Sequence, residues 1–338
     1  MGNPSDSDDP VRRQDEPNIH DIILLTGGAK GGGGRASSGS GAKGGKGGSS
    51  LGGGQGVRGD SIPLGSSTSK PASAYSPGGG PHLTIPPGTT FAGRPIGGGT
   101  RGGVYGNQIY GSGYQNGAHG SWVSGRGFSY GFWPFYWAGG IGAGAALSHG
   151  YYGSHEYGPE NNSSRPGGEQ TYAQVRSISW PNSTTTPDNS TAPYYLLGDK
   201  SSVAVVLDAL VLNCSVVNTT SSITAFNFTL NSTSTPRPEQ VVQYYRESSF
   251  ALSLSTYIDK ASLPSEAPPT EDSALPDPSL ITPLPPGTNL GFLDCLNQTI
   301  GAAVPIMNSG MAGSQFGGSA TTLLLGFWLI MAFLRRIF

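Results

Sequence analysis

Histidine is missing from the second half of this chain: none of its 5 histidines lies beyond His155. A Ser-His-acid or Cys-His arrangement there would have to borrow its base from upstream. Charge is sparse as well, at 12% with a net charge of −2, so net charge gives no argument for a nucleic-acid partner. The N-terminal region holds no run of apolar residues long enough to be a signal-peptide core. The first 21 residues are polar and charged, and Ile22 to Leu25 is far shorter than the roughly 7–15 residues such a core needs. No Walker A loop exists, because Lys46 is followed by Gly47 and not by a hydroxyl residue. Cysteine is limited to two residues, Cys214 and Cys295.

What is abundant is glycine, with 55 residues, and proline, with 27, without the strict triplet period of collagen. Residues 1–121 read as a disordered Gly/Ser-rich arm, since so little apolar surface cannot offset the backbone entropy of ordering glycine. The arm is mildly basic: nine Lys and Arg fall between Gly27 and Tyr130 against the single acid Asp60. Gly39 to Gly44 spells GxGxxG, but no strand precedes it and no helix follows, so chance explains it. The same holds for Arg58-Gly59-Asp60.

Residues 122–160 form an aromatic and glycine-rich segment. Trp122, Phe132, Trp133, Phe135, Tyr136 and Trp137 are dense enough to act as stickers, stacking on one another or on sugars. They fit packing against a neighbouring domain equally well. His149, His155 and Glu156 match no helical metal-ligand spacing, and no metal or cofactor is expected.

Residues 161–307 read as the folded part, a small α+β domain. Asn-x-Ser/Thr acceptors stand at Asn161, Asn162, Asn182, Asn189, Asn213, Asn218, Asn227, Asn231 and Asn297. None of the asparagines before Asn161 qualifies, and a cluster confined to the folded part argues for passage through the secretory lumen. In that compartment Cys214 and Cys295 read as one disulfide. Val203, Val206, Leu207, Leu210 and Val211 repeat with helical spacing, predicting a helix over 201–212 with Asp199 or Ser201 as its N-cap. Ile223 to Leu230 alternates like a strand. Pro236, Pro238 and Glu239 predict the start of a second helix running to about Ile258, although Phe250, Leu252 and Leu254 alternate and leave a strand open there. An exposed Pro-rich loop over 264–286 follows, and Leu290 to Ile306 predicts a third helical segment. Asp199, Asp208, Glu239 and Glu247 look like isolated carboxylates on solvated faces, so no enzyme activity is expected.

Residues 308–338 read as a membrane-anchor tail. The apolar stretch Thr321 to Leu334 is short for a spanning helix but suits the hydrophobic end of a GPI signal. Asn308, Ser309 and Gly310 supply the small residues for its attachment site, with Met311 to Ala320 as spacer. Arg335 and Arg336 depart from that pattern and suit a single-pass helix instead.

The plan of arm, glycosylated domain and tail resembles fungal GPI-type cell-surface or cell-wall glycoproteins. Gly131 to Trp137 (GFWPFYW) and Pro236 to Ile258 (PRPEQVVQYYRESSFALSLSTYI) look like segments of one fungal family, from which no functional residue carries over. The resemblance implies a non-enzymatic surface glycoprotein on the outer face of the plasma membrane. Its partners would be the membrane, through the tail, and wall polysaccharide or other copies, through the arm. Without a signal peptide, that reading needs an upstream start or entry into the lumen by the tail. The alternative is a cytosolic tail-anchored scaffold whose basic arm binds RNA or self-associates. A third reading is carbohydrate binding by Trp122, Trp133 and Trp137.

Overall fold

The computed structural model describes residues 61–114, 123, 125–137, 155–178, 192–218, 222–227, 235–263 and 278–309. All belong to one compact unit, Gly54–Phe338. Its centre is a five-stranded antiparallel sheet of order β6-β4-β5-β8-β7. The strands are β4 (Gln170–Val175), β5 (Tyr194–Asp199), β6 (Thr224–Ala225), β7 (Val241–Tyr245) and β8 (Phe250–Leu254). Three short strands precede them, β1 (Ala72–Ser73), β2 (Leu83–Thr84) and β3 (Pro95–Ile96), and β9 (Ile306–Met307) closes the described chain by pairing with β1. Two helices, α1 (Lys200–Asn213) and α2 (Leu290–Ala303), lie on one face of the sheet.

The sheet has both faces covered, because β5, β7 and β8 carry apolar residues on opposite sides. Leu196, Leu252 and Leu254 point to the helices, where Val203, Val206, Leu207 and Leu210 of α1 meet Leu296 and Ile300 of α2. Leu197, Val241, Tyr244 and Ala251 point the other way, onto Phe128, Phe132, Phe135, Trp137 and Phe226. A third layer therefore exists, built from the Gly-rich chain between 61 and 137 and not from helix or long strand.

That layer corrects the expectation of disorder over 61–114. Ile62, Leu64, Ala72, Ile85, Ile96, Val104, Ile109 and Tyr110 are all buried. Glycine composition hid them, since a handful of apolar anchors suffices when a preformed sheet face supplies the partner surface. Residues 1–60 and 115–121 of the expected arm lie outside the described residues. The same layer covers an otherwise open sheet edge: Gly106 N–H donates to Tyr244 O at 2.9 Å and Tyr244 N–H to Asn107 O at 2.8 Å.

The predicted helix from Pro236 to Ile258 is corrected to a hairpin. Pro238–Gln240 forms one 3-10 turn, after which β7 and β8 pair antiparallel with a bulge between Val241 and Gln243. The strand left open by the alternation of Phe250, Leu252 and Leu254 is β8, every residue of which is buried. The strand expected over 223–230 is shorter than predicted, only Thr224–Ala225, with 228–230 outside the described residues. α1 appears where its periodicity places it, with Asp199 as N-cap, its side chain accepting from Ser202 N–H, while the helix expected over Leu290 to Ile306 ends at Ala303 and Ile306 lies in β9. The Pro-rich loop is described only from 278, where its surface residues are exposed or half-buried. The hydrophobic tail lies outside the described residues, and among the described residues no helix is long and apolar enough to cross a membrane.

Candidate functional site

The turn that joins β7 to β8 is where the backbone is most constrained. Arg246, Glu247 and Ser248 have φ of 50°, 53° and 63°, three consecutive non-glycine residues in the left-handed region. Each costs roughly 1–2 kcal/mol for an L-residue, and such a run persists only where its surroundings over-determine it. They do so here. Arg246 N–H donates to Val104 O at 2.8 Å, Phe135 N–H donates to Ser248 O at 2.8 Å, and Gly111 N–H donates to Ser248 Oγ at 2.8 Å. The turn is gripped from the Gly-rich layer on several sides.

Arg246 is the hub. Its guanidinium donates from Nη2 to Asp199 Oδ2 at 2.9 Å, and from Nη1 to Ser202 Oγ at 2.9 Å and Pro305 O at 2.8 Å. The carbon of the guanidinium lies 3.8 Å from the centroid of the Phe132 ring, a cation–π stack. One side chain thus ties together the β7–β8 turn, the start of α1, the chain after α2 and the GFWPFYW segment. Arg246 is 1% exposed and Asp199 6%. Burial pushes the guanidinium pKa down, and the Asp199 charge opposes that. Gly167 sits against the same carboxylate with φ +81°, and a Cβ there would collide with Asp199 Oδ1.

Next to the hub, Glu247 turns into the aromatic layer, where its Oε2 accepts from Ser129 N–H at 3.0 Å. Burial pushes its carboxyl up to about 7 against the opposing influence of that bond and of the Arg126 charge. Two further guanidiniums are held mainly by carbonyls. Arg165 donates to Tyr157 O at 3.1 Å and to Pro134 O, lies 5.4 Å from the Trp133 ring, and is pushed down to about 10 by burial. Arg101 donates to Gly301 O at 3.2 Å, to Val304 O and to Ser76 O. Burial first, and the neighbouring Arg246 charge second, lower it to about 10. Arg101 and Arg246 thus both reach the C-terminal end of α2, where carbonyls left open by the helix concentrate negative charge.

Chemically, this cluster fixes backbone. Its strongest donors are bound to named acceptors inside the protein, and the hub presents no reactive group to solvent. Arg246 Nε, Arg101 Nη2 and Ser249 Oγ are buried without a partner, which raises the cost of the cluster and makes its geometry the more dependent on the surrounding packing. Among the described residues no group of three or more His, Cys, Asp or Glu is placed to hold a metal ion.

The expected surface residues fall differently. Phe132, Trp133, Phe135 and Trp137 are buried and Tyr136 is half-buried, so these aromatics pack against the domain and are not free stickers. Trp133 and Trp137 are consequently unavailable to sugars, and Trp122 lies outside the described residues. Asp199, Glu239 and Glu247 are buried, correcting their reading as solvated; Asp208 is exposed. Glu156 is paired with Arg94.

Cys214 and Cys295 form a disulfide with a Cα–Cα distance of 5.8 Å, joining the C-terminal end of α1 to the second turn of α2. Asn161, Asn213, Asn218 and Asn227 are exposed, while Asn162 and Asn297 are half-buried. Asn182, Asn189 and Asn231 lie outside the described residues. Asn308 is bound into the fold: its N–H donates to Pro71 O at 2.9 Å and its Oδ1 accepts from Ser73 Oγ at 2.6 Å. Ser309 is half-buried and Gly310 lies outside the described residues.

No family model, curated protein or solved structure matches this chain. The residues that sequence reasoning missed are Arg246, Arg165 and Arg101. The signal available was their setting: Arg246 sits inside QYYRESSF, flanked by Tyr245 and by Phe250, in a run with no other basic residue between Arg237 and Lys260.

Proposed function

We propose that this protein is a non-enzymatic glycoprotein of the secretory pathway, displaying its domain on the outer face of a membrane. The observation that carries the reading is the Cys214–Cys295 bridge, which joins the two helices and closes a sequence separation of 81 residues. Such a bond is kept in oxidising compartments and is rare in reducing ones. Four exposed acceptor asparagines on the same domain support it. The small-residue and apolar run from Asn308 onward supports attachment to the membrane, by a lipid anchor or a single helix. The hub supports the non-enzymatic part, since its charges hold layers together and face no solvent.

The test is an endoglycosidase shift on the full chain made in a eukaryotic host, run beside thiol alkylation without reductant. A drop of several kilodaltons with both cysteines protected is expected. Unchanged mobility with both cysteines alkylated would overturn the reading and leave the cytosolic scaffold.

A further inference from the structure

Two described acceptors lie in helices beside the disulfide: Asn213, exposed at the last position of α1, and Asn297, half-buried within α2. Asn297 follows Cys295 by two residues in α2, and its hydroxyl partner Thr299 lies two residues further on. Glycan transfer needs the acceptor amide and that hydroxyl presented together. In a helix, residues two apart do not face the same way. The two groups are in fact engaged on different sides: Asn297 Oδ1 accepts from the buried Tyr245 hydroxyl at 2.7 Å, and Thr299 Oγ1 lies 3.3 Å from Cys214 Sγ. The bridge itself holds α2 against the end of α1, where Cys295 Sγ lies 3.6 Å from Asn213 O. Asn218 and Asn227, in contrast, are exposed and lie in non-helical chain.

We propose that closure of the Cys214–Cys295 bridge, in which a disulfide-bearing oxidant of the lumen takes up the two electrons and two protons of the thiols and is itself reduced to a dithiol, withdraws Asn297 from glycan transfer, so that a glycan at Asn297 marks chains whose domain has not closed. This rests on the secretory glycoprotein reading above. In the transfer, a bond forms between Asn297 Nδ2 and the anomeric carbon of a lipid-diphosphate-linked oligosaccharide. The lipid diphosphate leaves and one amide proton is lost. Before closure α2 is free to unwind and offer the extended acceptor. After closure, separating Asn297 from Tyr245 and Thr299 from Cys214 means undocking the helix.

The experiment maps site occupancy by mass spectrometry after enzymatic glycan release in heavy-oxygen water, on the full chain made in a secreting eukaryotic host. Three arms are compared: untreated cells, cells pulsed with dithiothreitol during synthesis, and the Cys295→Ser variant, with N297Q as the mobility control. The dithiothreitol arm uses the unaltered chain, so poor folding of the variant does not remove the test. Asn297 is expected bare in untreated cells and occupied several-fold more in the other two arms, with Asn218 and Asn227 occupied in all three. Equal occupancy of Asn297 in every arm overturns the proposal, and so does a bare Asn297 in every arm beside occupied Asn218 and Asn227. Bare asparagines at all positions in all arms overturn the glycoprotein reading and this inference together.

Discussion

Asp199 divides its carboxylate between two tasks: Oδ1 accepts from Ser202 N–H at 2.9 Å, capping α1, and Oδ2 accepts from Arg246 at 2.9 Å. The cap and the ion pair therefore share one side chain. Asp199→Asn keeps a capping oxygen but leaves Arg246 buried without a counter-charge. The expected loss is about 3 kcal/mol, at the lower end for a broken buried pair. Asp199→Asn combined with Arg246→Met removes the orphaned charge and is expected to cost at least about 1 kcal/mol less than the sum of the single variants. Urea unfolding of all three variants checks this, and strict additivity would contradict the hub.

Stability should fall with rising pH through one carboxyl in particular. Glu247 has its folded pKa raised from 4.5 to about 7 by burial. Between those values the folded protein keeps a proton that the unfolded chain releases, so stability decreases as pH climbs through that window and levels off above it. The contribution lost is about 3 kcal/mol. Glu247→Gln carries no such proton and should flatten that part of the profile, leaving the variant more stable than the parent at pH 8. Urea midpoints measured at intervals from pH 5 to 8 decide it. A parent profile unchanged by the substitution would contradict the assignment.

Reducing the single bridge should loosen the whole helical layer. The cysteines are 81 residues apart, and a loop of that length is worth about 4–5 kcal/mol in the chain-entropy model. Dithiothreitol, or Cys214→Ala with Cys295→Ala, is expected to lower the urea midpoint in proportion, as followed by circular dichroism. An unchanged midpoint would show that packing of Leu296 and Ile300 against α1 suffices alone.

How far the fold could be read in advance depended on what surrounds each segment. α1 was legible because Val203, Val206, Leu207 and Leu210 face the sheet while Asp208 faces water. The bridge was legible because two cysteines leave one pairing. β8 was ambiguous because Phe250 to Leu254 is buried on both sides and shows only half a pattern. Arg246 was illegible as a core residue, since charged side chains belong inside only when paired, and its partner Asp199 is 47 residues away in sequence. The Gly-rich layer was misread for a related reason. Its aromatics are anchored by sheet residues such as Leu197 and Tyr244, which come much later in the chain.

That layer makes a last prediction about where the folding unit begins. The face of the sheet carrying Leu197, Val241, Tyr244 and Ala251 is covered by residues between 61 and 137, and Arg246 stacks under Phe132 from the same segment. A fragment spanning 155–309 keeps every strand of the central sheet, both helices and the bridge, yet exposes that face and strips Arg246 of the Phe132 ring. Contiguous apolar surface of this kind drives association. The fragment is therefore expected to bind a hydrophobic dye strongly and to elute as aggregate, while 61–309 elutes as a discrete species with little dye binding. Adding a separate 61–137 chain should reduce dye binding if the layer docks as a preformed partner of the sheet. A monomeric 155–309 fragment with low dye binding would show that the sheet does not need its Gly-rich cover.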